Sequence, residues 1–311
     1  MRNDFVGARL VVDGVAFRQS GSHMAAFSSF ESSAGELIGN LILFLEEGSH
    51  AVKLQWKKWG KFVRSWACQP NLLDGFSGGR SLVATGYFKN IEFKQPTTGD
   101  RIIVAGAWKN IKGMALSFSL IRDSEVRIGY VVPAQPSSAP RGSLVATPPD
   151  YLETRIVVDG VPYREGASSF SSMTKSFRGG TLLGYLTIKL KKGTHSAQLQ
   201  WKKFGNSVGA WWIQPTFLDG FVSGRSLSMV ELWYPPFSGG QYVDQVLMSL
   251  KTAKGSRRLA EGKTSKHWHN LKDTTIGFTL VTNSTIDFLY TVNFERHGLP
   301  SRDSWTWDRW S

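Results

Sequence analysis

Histidine side chains that could do chemistry recur at matching positions in two parts of the chain. His50 follows Gly48-Ser49, and His195 follows Gly193-Thr194. An imidazole can ligate a metal ion or act as a general base, because it exchanges its proton near neutral pH. However, no second His, Cys or carboxylate lies at metal-ligand spacing from either histidine. We therefore expect these histidines to fix turns, and we expect no metal and no cofactor.

Four aspartates are each followed directly by glycine: Asp13, Asp74, Asp159 and Asp219. Two carboxylates roughly 5–10 Å apart can perform glycosidase-type acid/base work. Asp-Gly is equally a common turn sequence, because both residues tolerate a positive φ. A hydrolase would require His50, Asp74 and Arg80 to converge in one pocket. Since no G-x-S-x-G, P-loop, Rossmann or H-E-x-x-H motif occurs, we expect no enzyme.

An internal repeat dominates the sequence. The segment from His50 to Trp66 returns as His195 to Trp211, with nine of seventeen residues identical. The likeness continues on both sides at an offset of 145 or 146 residues, and a second likeness relates 108–132 to 268–292 at an offset of 160. Repetition on this scale predicts two copies of one module.

The repeat predicts modules at 1–132 and 151–311, joined by the Pro/Ser-rich linker 133–150. The change of offset predicts a basic inserted loop at about 230–266 in the second module. Two arrangements remain open, because segment 108–132 could complete the long segment before it or the one after it. In the second case the terminal pieces would either close on each other or pair with a neighbouring molecule.

The composition and the residue pattern predict an all-β protein made of two homologous antiparallel β-sandwich modules in tandem. The chain has 32 Gly, 19 Phe, 12 Trp and 8 Tyr, with little helical periodicity. Val52, Leu54 and Trp56 alternate with polar residues, which is typical of a strand with one buried face. We therefore place Trp56 and its counterpart Trp201 in the core. The Ser/Gly-rich segments at 20–35 and 166–180 are predicted to be loops.

Three short motifs recur in both modules: Leu37-Ile38-Gly39 with Leu182-Leu183-Gly184, Gly48-Ser49-His50 with Gly193-Thr194-His195, and Leu54-Gln55-Trp56 with Leu199-Gln200-Trp201. This pattern resembles the jelly-roll sandwiches of the tumour necrosis factor and C1q-like superfamily. The resemblance implies a module without catalytic machinery that trimerises or binds partners through loops and outer faces. Jelly rolls also build viral capsids. A duplicated module of this kind would suit a sheet, a shell or a capsid-like assembly.

Several aromatic and basic residues are candidates for contact with copies of the chain or with other partners. The C-terminal segment carries three tryptophans, which need a docking site because each buries a large, mostly apolar surface. Two lysine pairs each precede an aromatic residue, and a basic segment follows in the second module. These candidates are Trp305, Trp307, Trp310, Lys57, Lys58, Trp59, Lys202, Lys203, Phe204, Arg257 and Arg258. We expect deletion of 299–311 to leave both modules folded and to abolish assembly.

The net charge of +13 predicts a polyanionic or acidic partner. We expect a structural protein that forms a homo-oligomer or polymer, and the alternative is a recognition module for carbohydrate or another polyanion, including an acidic protein. Nucleic acid is a further candidate that the sequence does not favour. The N-terminus shows no signal-peptide pattern and no apolar run is long enough to span a bilayer, so we expect a soluble protein. The single cysteine, Cys68, favours an intracellular, organellar or virion location.

Overall fold

The chain is almost entirely β-strand in the part that the structure describes. The structure is a computed structural model and describes residues 3–27, 34–60, 65–68, 80–87, 91–96, 99–103, 106–136, 150–172, 180–205, 209–213, 225–232, 248–253, 257–259 and 267–297. Nothing in these segments is a helix that could span a membrane. The all-β prediction is confirmed.

Twenty strands are present in these segments. They are β1 (Asn3–Val12), β2 (Val15–Phe27), β3 (Ala34–Leu45), β4 (Gly48–Trp59), β5 (Ser65–Cys68), β6 (Arg80–Tyr87), β7 (Ile91–Lys94), β8 (Asp100–Ile102), β9 (Lys109–Leu120), β10 (Ser124–Pro136), β11 (Asp150–Val158), β12 (Val161–Ser172), β13 (Gly180–Leu190), β14 (Gly193–Phe204), β15 (Trp211–Ile213), β16 (Ser226–Leu232), β17 (Met248–Ala253), β18 (Arg257–Leu259), β19 (His269–Leu280) and β20 (Ser284–His297). All of the strand pairs are antiparallel.

The strands form two β-sandwiches with the same strand order. The terminal sandwich has a four-stranded sheet, β19-β4-β1-β2, and a six-stranded sheet, β17-β6-β20-β5-β18 with β3 paired to β20. The central sandwich has a four-stranded sheet, β9-β14-β11-β12, and a six-stranded sheet, β7-β16-β10-β15-β8 with β13 paired to β10. The central sandwich is therefore built from β7 to β16, and the terminal sandwich is built from both ends of the chain.

This pairing differs from the predicted boundaries at 132 and 151. Strands β9 and β10, which contain segment 108–132, pair with β14 and β13 of the long segment that follows them. Strands β19 and β20 pair with β4 and β3, so the two ends of the chain close on each other. The sequence left both arrangements open because the two short segments resemble each other. Only the long-range pairing distinguishes them.

The predicted linker and the predicted basic loop also have a different place in the fold. Residues 133–136 belong to β10 and Asp150 begins β11, so the segment predicted as linker 133–150 joins two strands of one sandwich. Its residues 137–149 lie outside the described residues. The region 230–266 contains β17 and β18, which pair with β6 and β5. Part of that region is therefore sheet in the terminal sandwich.

Alternating side chains from both sheets fill each sandwich. In β4, Val52 and Leu54 are fully buried and Trp56 is buried beside them, as predicted from the alternation. Trp201 occupies the same place in the central sandwich and is also buried. In the opposite sheets, Phe288 and Ile128 are fully buried. Each sandwich thus has its own apolar core.

Asp13-Gly14 and Asp159-Gly160 form turns as predicted, whereas the serine-rich segments begin as strands; Asp74 and Asp219 lie outside the described residues. Asp13 has φ 50° and Gly14 has φ 82°, which gives the two-residue turn between β1 and β2. The predicted loop at 20–35 is wrong in its first part, because β2 continues to Phe27. Ser20 stabilises the irregular pairing there, since its Oγ accepts a hydrogen bond of 2.8 Å from the Leu10 backbone N–H. Likewise, β12 continues to Ser172, inside the predicted loop at 166–180.

The two sandwiches meet along β3 and β13. Asp287 of β20 accepts a hydrogen bond from the Asn40 side chain and lies near Arg127 of β10. Burial raises the pKa of Asp287 to about 6, and the Asn40 hydrogen bond and the Arg127 charge oppose that rise. Arg127 and Asp287 stand at corresponding positions of the two short segments. Opposite charges at one repeated position thus attract across the contact between the sandwiches.

Candidate functional site

The two lysine pairs were predicted to be exposed contact residues, but three of the four lysines are buried. In β14, Lys202 lies on the outer face of its sheet, whereas Lys203 points inward and is buried. In β4, Lys58 is fully buried and Lys57 is nearly so. The alternation that places Trp56 and Trp201 in the core also places the second lysine of each pair on the inner face. The signal was therefore present in the sequence.

A buried ion pair explains how Lys203 is accommodated. Its Nζ lies 3.5 Å from Asp150 Oδ2, and both side chains are buried. The same Nζ donates a hydrogen bond of 2.6 Å to the carbonyl oxygen of Gly205. A buried ammonium group is tolerated only when charge and hydrogen bonds compensate the lost hydration. Lys203 therefore joins the end of β14 to the start of β11, the two inner strands of the four-stranded sheet.

The aromatic residues next to the lysines have partners within the chain. Trp59 is 4% exposed and packs edge-on against Trp268 at 5.5 Å, so it is not a surface anchor. Phe204 is partly exposed, and Lys202 Nζ lies 4.3 Å from its ring centroid. The predicted cation–aromatic pairs do occur, but in each pair the lysine and the aromatic ring contact each other within the chain.

The remaining predicted contact residues lie in the terminal sandwich or outside the described residues. Arg257 and Arg258 belong to β18 and pair with Cys68 and Ala67 of β5. Trp305, Trp307 and Trp310 belong to residues 298–311, which lie outside the described residues, as does Asp74 of the hydrolase alternative.

Each histidine of the repeat bridges two turns. His50 Nδ1 lies 2.7 Å from Asp13 Oδ2, and its Nε2 lies 2.9 Å from the Glu46 carbonyl oxygen. His195 has the same contacts with Asp159 and Lys191, at 2.7 and 2.8 Å. A carbonyl oxygen only accepts hydrogen bonds, so Nε2 donates, and a proton on Nδ1 then allows donation to the carboxylate. The prediction that these histidines fix turns is confirmed.

The pKa values of these pairs shift in the directions that the contacts require. The hydrogen bond to Asp159 raises the pKa of His195, and partial burial opposes it. Partial burial lowers the pKa of His50, but hydrogen bonds to Asp13 and Glu46 outweigh this, so its pKa is raised. No group of three or more His, Cys, Asp or Glu side chains that could hold a metal ion occurs among the described residues.

An arginine cluster that the sequence reasoning missed lies on the outer face of each four-stranded sheet. In the central sandwich, Arg155 Nε and Nη2 both donate to Gln200 Oε1, at 3.0 and 2.8 Å, and its guanidinium lies 4.1 Å from the Trp108 ring centroid. Gln200 Nε2 donates to Asn110 Oδ1 at 2.9 Å. We call these four residues the Arg155 cluster.

The terminal sandwich repeats this arrangement. Arg9 donates to Gln55 at 3.1 and 3.0 Å and lies 4.2 Å from the Trp268 ring centroid, while Gln55 donates to Asn270 at 3.0 Å. The signal in the sequence was the recurrence of Arg, Gln and Trp-x-Asn in both copies. These residues are far apart in the chain, and only the strand register brings them together.

Exposed apolar side chains lie in, or directly after, corresponding turns at one end of each sandwich. In the terminal sandwich, Val15 is 58% exposed and Val281 is 74% exposed. Their turns flank the beginning of β4, because Val52 pairs with Val12 and Gly48 pairs with Leu280. In the central sandwich, Val161 is 53% exposed and Ile121 is 81% exposed, and their turns flank the beginning of β14 in the same way. We call these two surfaces the apolar ends.

Comparisons with known proteins show weak similarity to solved structures. No protein-family model and no curated protein matches the chain. The T13 particle of infectious bursal disease virus matches with a TM-score of 0.30 and 8% identity, over 87% of this chain and 78% of the viral chain. The VP2 subviral particle of the same virus matches with a TM-score of 0.28 and 10% identity, over 86% of this chain and 81% of that chain.

A tumour necrosis factor is among the similar structures. Eiger from S. frugiperda matches with a TM-score of 0.25 and 6% identity, over 50% of this chain and all of the Eiger chain. At such scores these likenesses support no inference about function. The resemblance to the tumour necrosis factor and C1q-like superfamily therefore stays a prediction.

Proposed function

We propose that this chain is a non-enzymatic structural protein that associates with copies of itself into an ordered sheet, shell or capsid-like particle. The observation that carries the proposal is the pair of apolar ends. Turns and the residues beside them are usually polar, so exposed β-branched apolar residues at these four corresponding positions indicate contact surfaces. Because each chain carries two similar ends, it can contact more than one neighbour, which is the requirement for an extended or closed assembly.

Strand donation between molecules is not part of this proposal. The terminal strands β19 and β20 pair within their own chain, with β4 and β3. The C-terminal tryptophans, Trp305, Trp307 and Trp310, remain a second proposed contact. Deletion of 299–311 is the test of that contact.

Variants of the apolar ends test the proposal. Threonine has nearly the shape of valine and a high strand propensity, so it removes apolar contact while keeping the turn. We expect Val15→Thr with Val281→Thr, or Val161→Thr with Ile121→Thr, to limit association to small oligomers. All four changes together should give monomers. Sedimentation velocity at about 100 µM protein, well above a micromolar Kd, measures the size.

Ile103→Thr is the matched control. Ile103 is 55% exposed and follows β8, which pairs through β15 with the end of β10 opposite to the turn at Ile121. This variant should assemble as the unmodified chain does. If the fourfold variant kept the unmodified size, the apolar ends would not be the contact surfaces.

A further inference from the structure

A cleft opens on the outer face of the four-stranded sheet in the central sandwich. Its volume is ≈ 480 Å³, within the range of roughly 300–1,000 Å³ that is typical of small-molecule sites. Aromatic, charged and hydroxyl side chains share its lining. They include Trp108, Glu153, Arg155, Arg164 and Ser169. We call it the Trp108 cleft.

The guanidinium of Arg155 is held in one orientation at this cleft. Gln200 accepts from its Nε and Nη2, Asn110 fixes Gln200, and the Trp108 ring lies against the guanidinium plane. Among the described residues, Nη1 of Arg155 has no hydrogen-bond partner. Partial burial lowers the pKa of Arg155. A cation held in this way is preorganised to bind an anionic group.

In the terminal sandwich, the place that corresponds to the Trp108 cleft is occupied by an indole. Gly7 and Glu153 stand at the same register position, since they pair with Lys57 and Lys202. A Cβ atom on Gly7 would lie 2.9 Å from Cζ3 of Trp59, so that indole lies directly over the glycine.

The central sandwich differs at both positions. It has Glu153 in place of the glycine and Phe204 in place of the tryptophan. The two sandwiches therefore share the arginine cluster, but the central sandwich lacks the indole that covers it in the terminal one. This difference indicates that the cleft is a specific feature of the central sandwich.

We propose that the Trp108 cleft binds an acidic sugar residue of a glycan, with Arg155 and Arg164 facing its anionic group. Arginine presents paired N–H donors that match a carboxylate or sulfate. Glu153 and Ser169, which pair with each other on the outer face, accept hydrogen bonds from sugar hydroxyls. The proposal is independent of self-association.

The charges favour an acidic sugar over a neutral sugar or a nucleic acid strand. The cleft lining contains one carboxylate, Glu153, and two guanidinium groups, Arg155 and Arg164, and Lys202 stands opposite Glu153 in the β11–β14 register, so the formal charge of the cleft is positive. Stacking of nucleobases requires a free aromatic face. The Trp108 ring is already contacted by the Arg155 guanidinium and lies 5.9 Å from Lys202 Nζ.

Titration of the full chain with defined saccharides tests the proposal. The probes are sialyllactose, which carries a carboxylate, a sulfated heparin tetrasaccharide, lactose as the neutral counterpart, and an oligouridylate. We expect at least one acidic saccharide to bind at least about tenfold more tightly than lactose. Whichever acidic saccharide binds more tightly shows whether the cleft prefers a carboxylate or a sulfate. Binding of neither acidic saccharide at about 10 mM, or tighter binding of oligouridylate, would overturn the assignment.

Matched variants locate the binding at the cleft. Arg155→Lys keeps the charge but loses the paired donors, so it should weaken binding about tenfold. Arg9→Lys makes the same change in the terminal sandwich and should leave binding unchanged. Glu153→Gly with Phe204→Trp reproduces the covered arrangement of the terminal sandwich and should abolish binding. Equal losses from Arg155→Lys and Arg9→Lys, or unchanged binding when the cleft is filled, would contradict the proposed site.

Discussion

The hydroxyl of Tyr290 donates a hydrogen bond of 3.1 Å to the backbone carbonyl of Ala8, although 282 residues separate them. The same hydroxyl lies 2.9 Å from the Ser20 carbonyl oxygen, and Tyr290 is fully buried. This contact joins the two ends of the chain inside one core. Burial raises the pKa of Tyr290 well above its usual value, so the phenol remains a donor.

Tyr290→Phe should destabilise the terminal sandwich by about 1–3 kcal/mol, because it leaves two buried carbonyl oxygens without this donor. Tyr130→Phe is the matched change in the central sandwich. Its cost should be smaller, because the partner Thr154 Oγ1 can still donate to the Ser168 carbonyl oxygen. Urea unfolding monitored by tryptophan fluorescence measures both variants. Equal losses of unfolding free energy in the two variants would show that the hydrogen bonds from Tyr290 to the Ala8 and Ser20 carbonyl oxygens do not add to stability as proposed.

Gly184→Ala should strongly destabilise the central sandwich. A Cβ atom at that position would lie 2.6 Å from the Tyr130 ring and hydroxyl, and Tyr130 is buried and cannot move aside. Gly129→Ala is the control, since its Cβ would meet nothing closer than 3.8 Å. The expected loss for Gly184→Ala is about 2 kcal/mol or more, read from the urea midpoint. Comparable midpoints for the two variants would contradict the close packing.

The histidine–aspartate pairs should make stability depend on pH. The pKa values of His50 and His195 are raised on folding, so their contribution is complete below about pH 6.5 and is lost as the pH rises through the folded-state pKa. The pKa values of Asp13 and Asp159 are lowered on folding, so the contribution of these aspartates to stability is lost as the pH falls below about 4.

Replacing both histidines with glutamine should therefore reduce stability between about pH 4 and pH 6.5 and have less effect at pH 8. The aspartates are 41% and 44% exposed, so solvent limits the effect to about 1 kcal/mol per pair. Unfolding free energies measured across this pH range provide the test. An equal loss at pH 5 and pH 8 would mean that the rings act by packing alone.

The fold class and several turns could be predicted from the sequence, because short-range patterns determine them. The alternation through Trp56 and the Asp13-Gly14 pair are local signals, and both gave the observed structure. The predicted loop at 20–35 is wrong at Ser20 because serine is common in loops, whereas here its hydroxyl stabilises an irregular strand pair.

The choice of partners for the short segments could not be predicted, because it depends on contacts between distant parts of the chain. The same limit applies to the Arg155 cluster. Its arginine, glutamine and tryptophan come from different strands and meet only when the register is known. The burial of Lys203, in contrast, could have been predicted, because the alternation of inward and outward residues continues past Trp201 and places Lys203 on the inner face.

Self-association is the central claim, and images of the purified, unmodified chain test it most directly. Negative-stain electron micrographs at about micromolar concentration should show large particles of regular shape, because the two apolar ends of each chain engage neighbours. The variant with all four end residues changed to threonine should show only small particles under the same conditions. A uniform population with the mass of a single chain, for the unmodified protein at high concentration, would contradict the account.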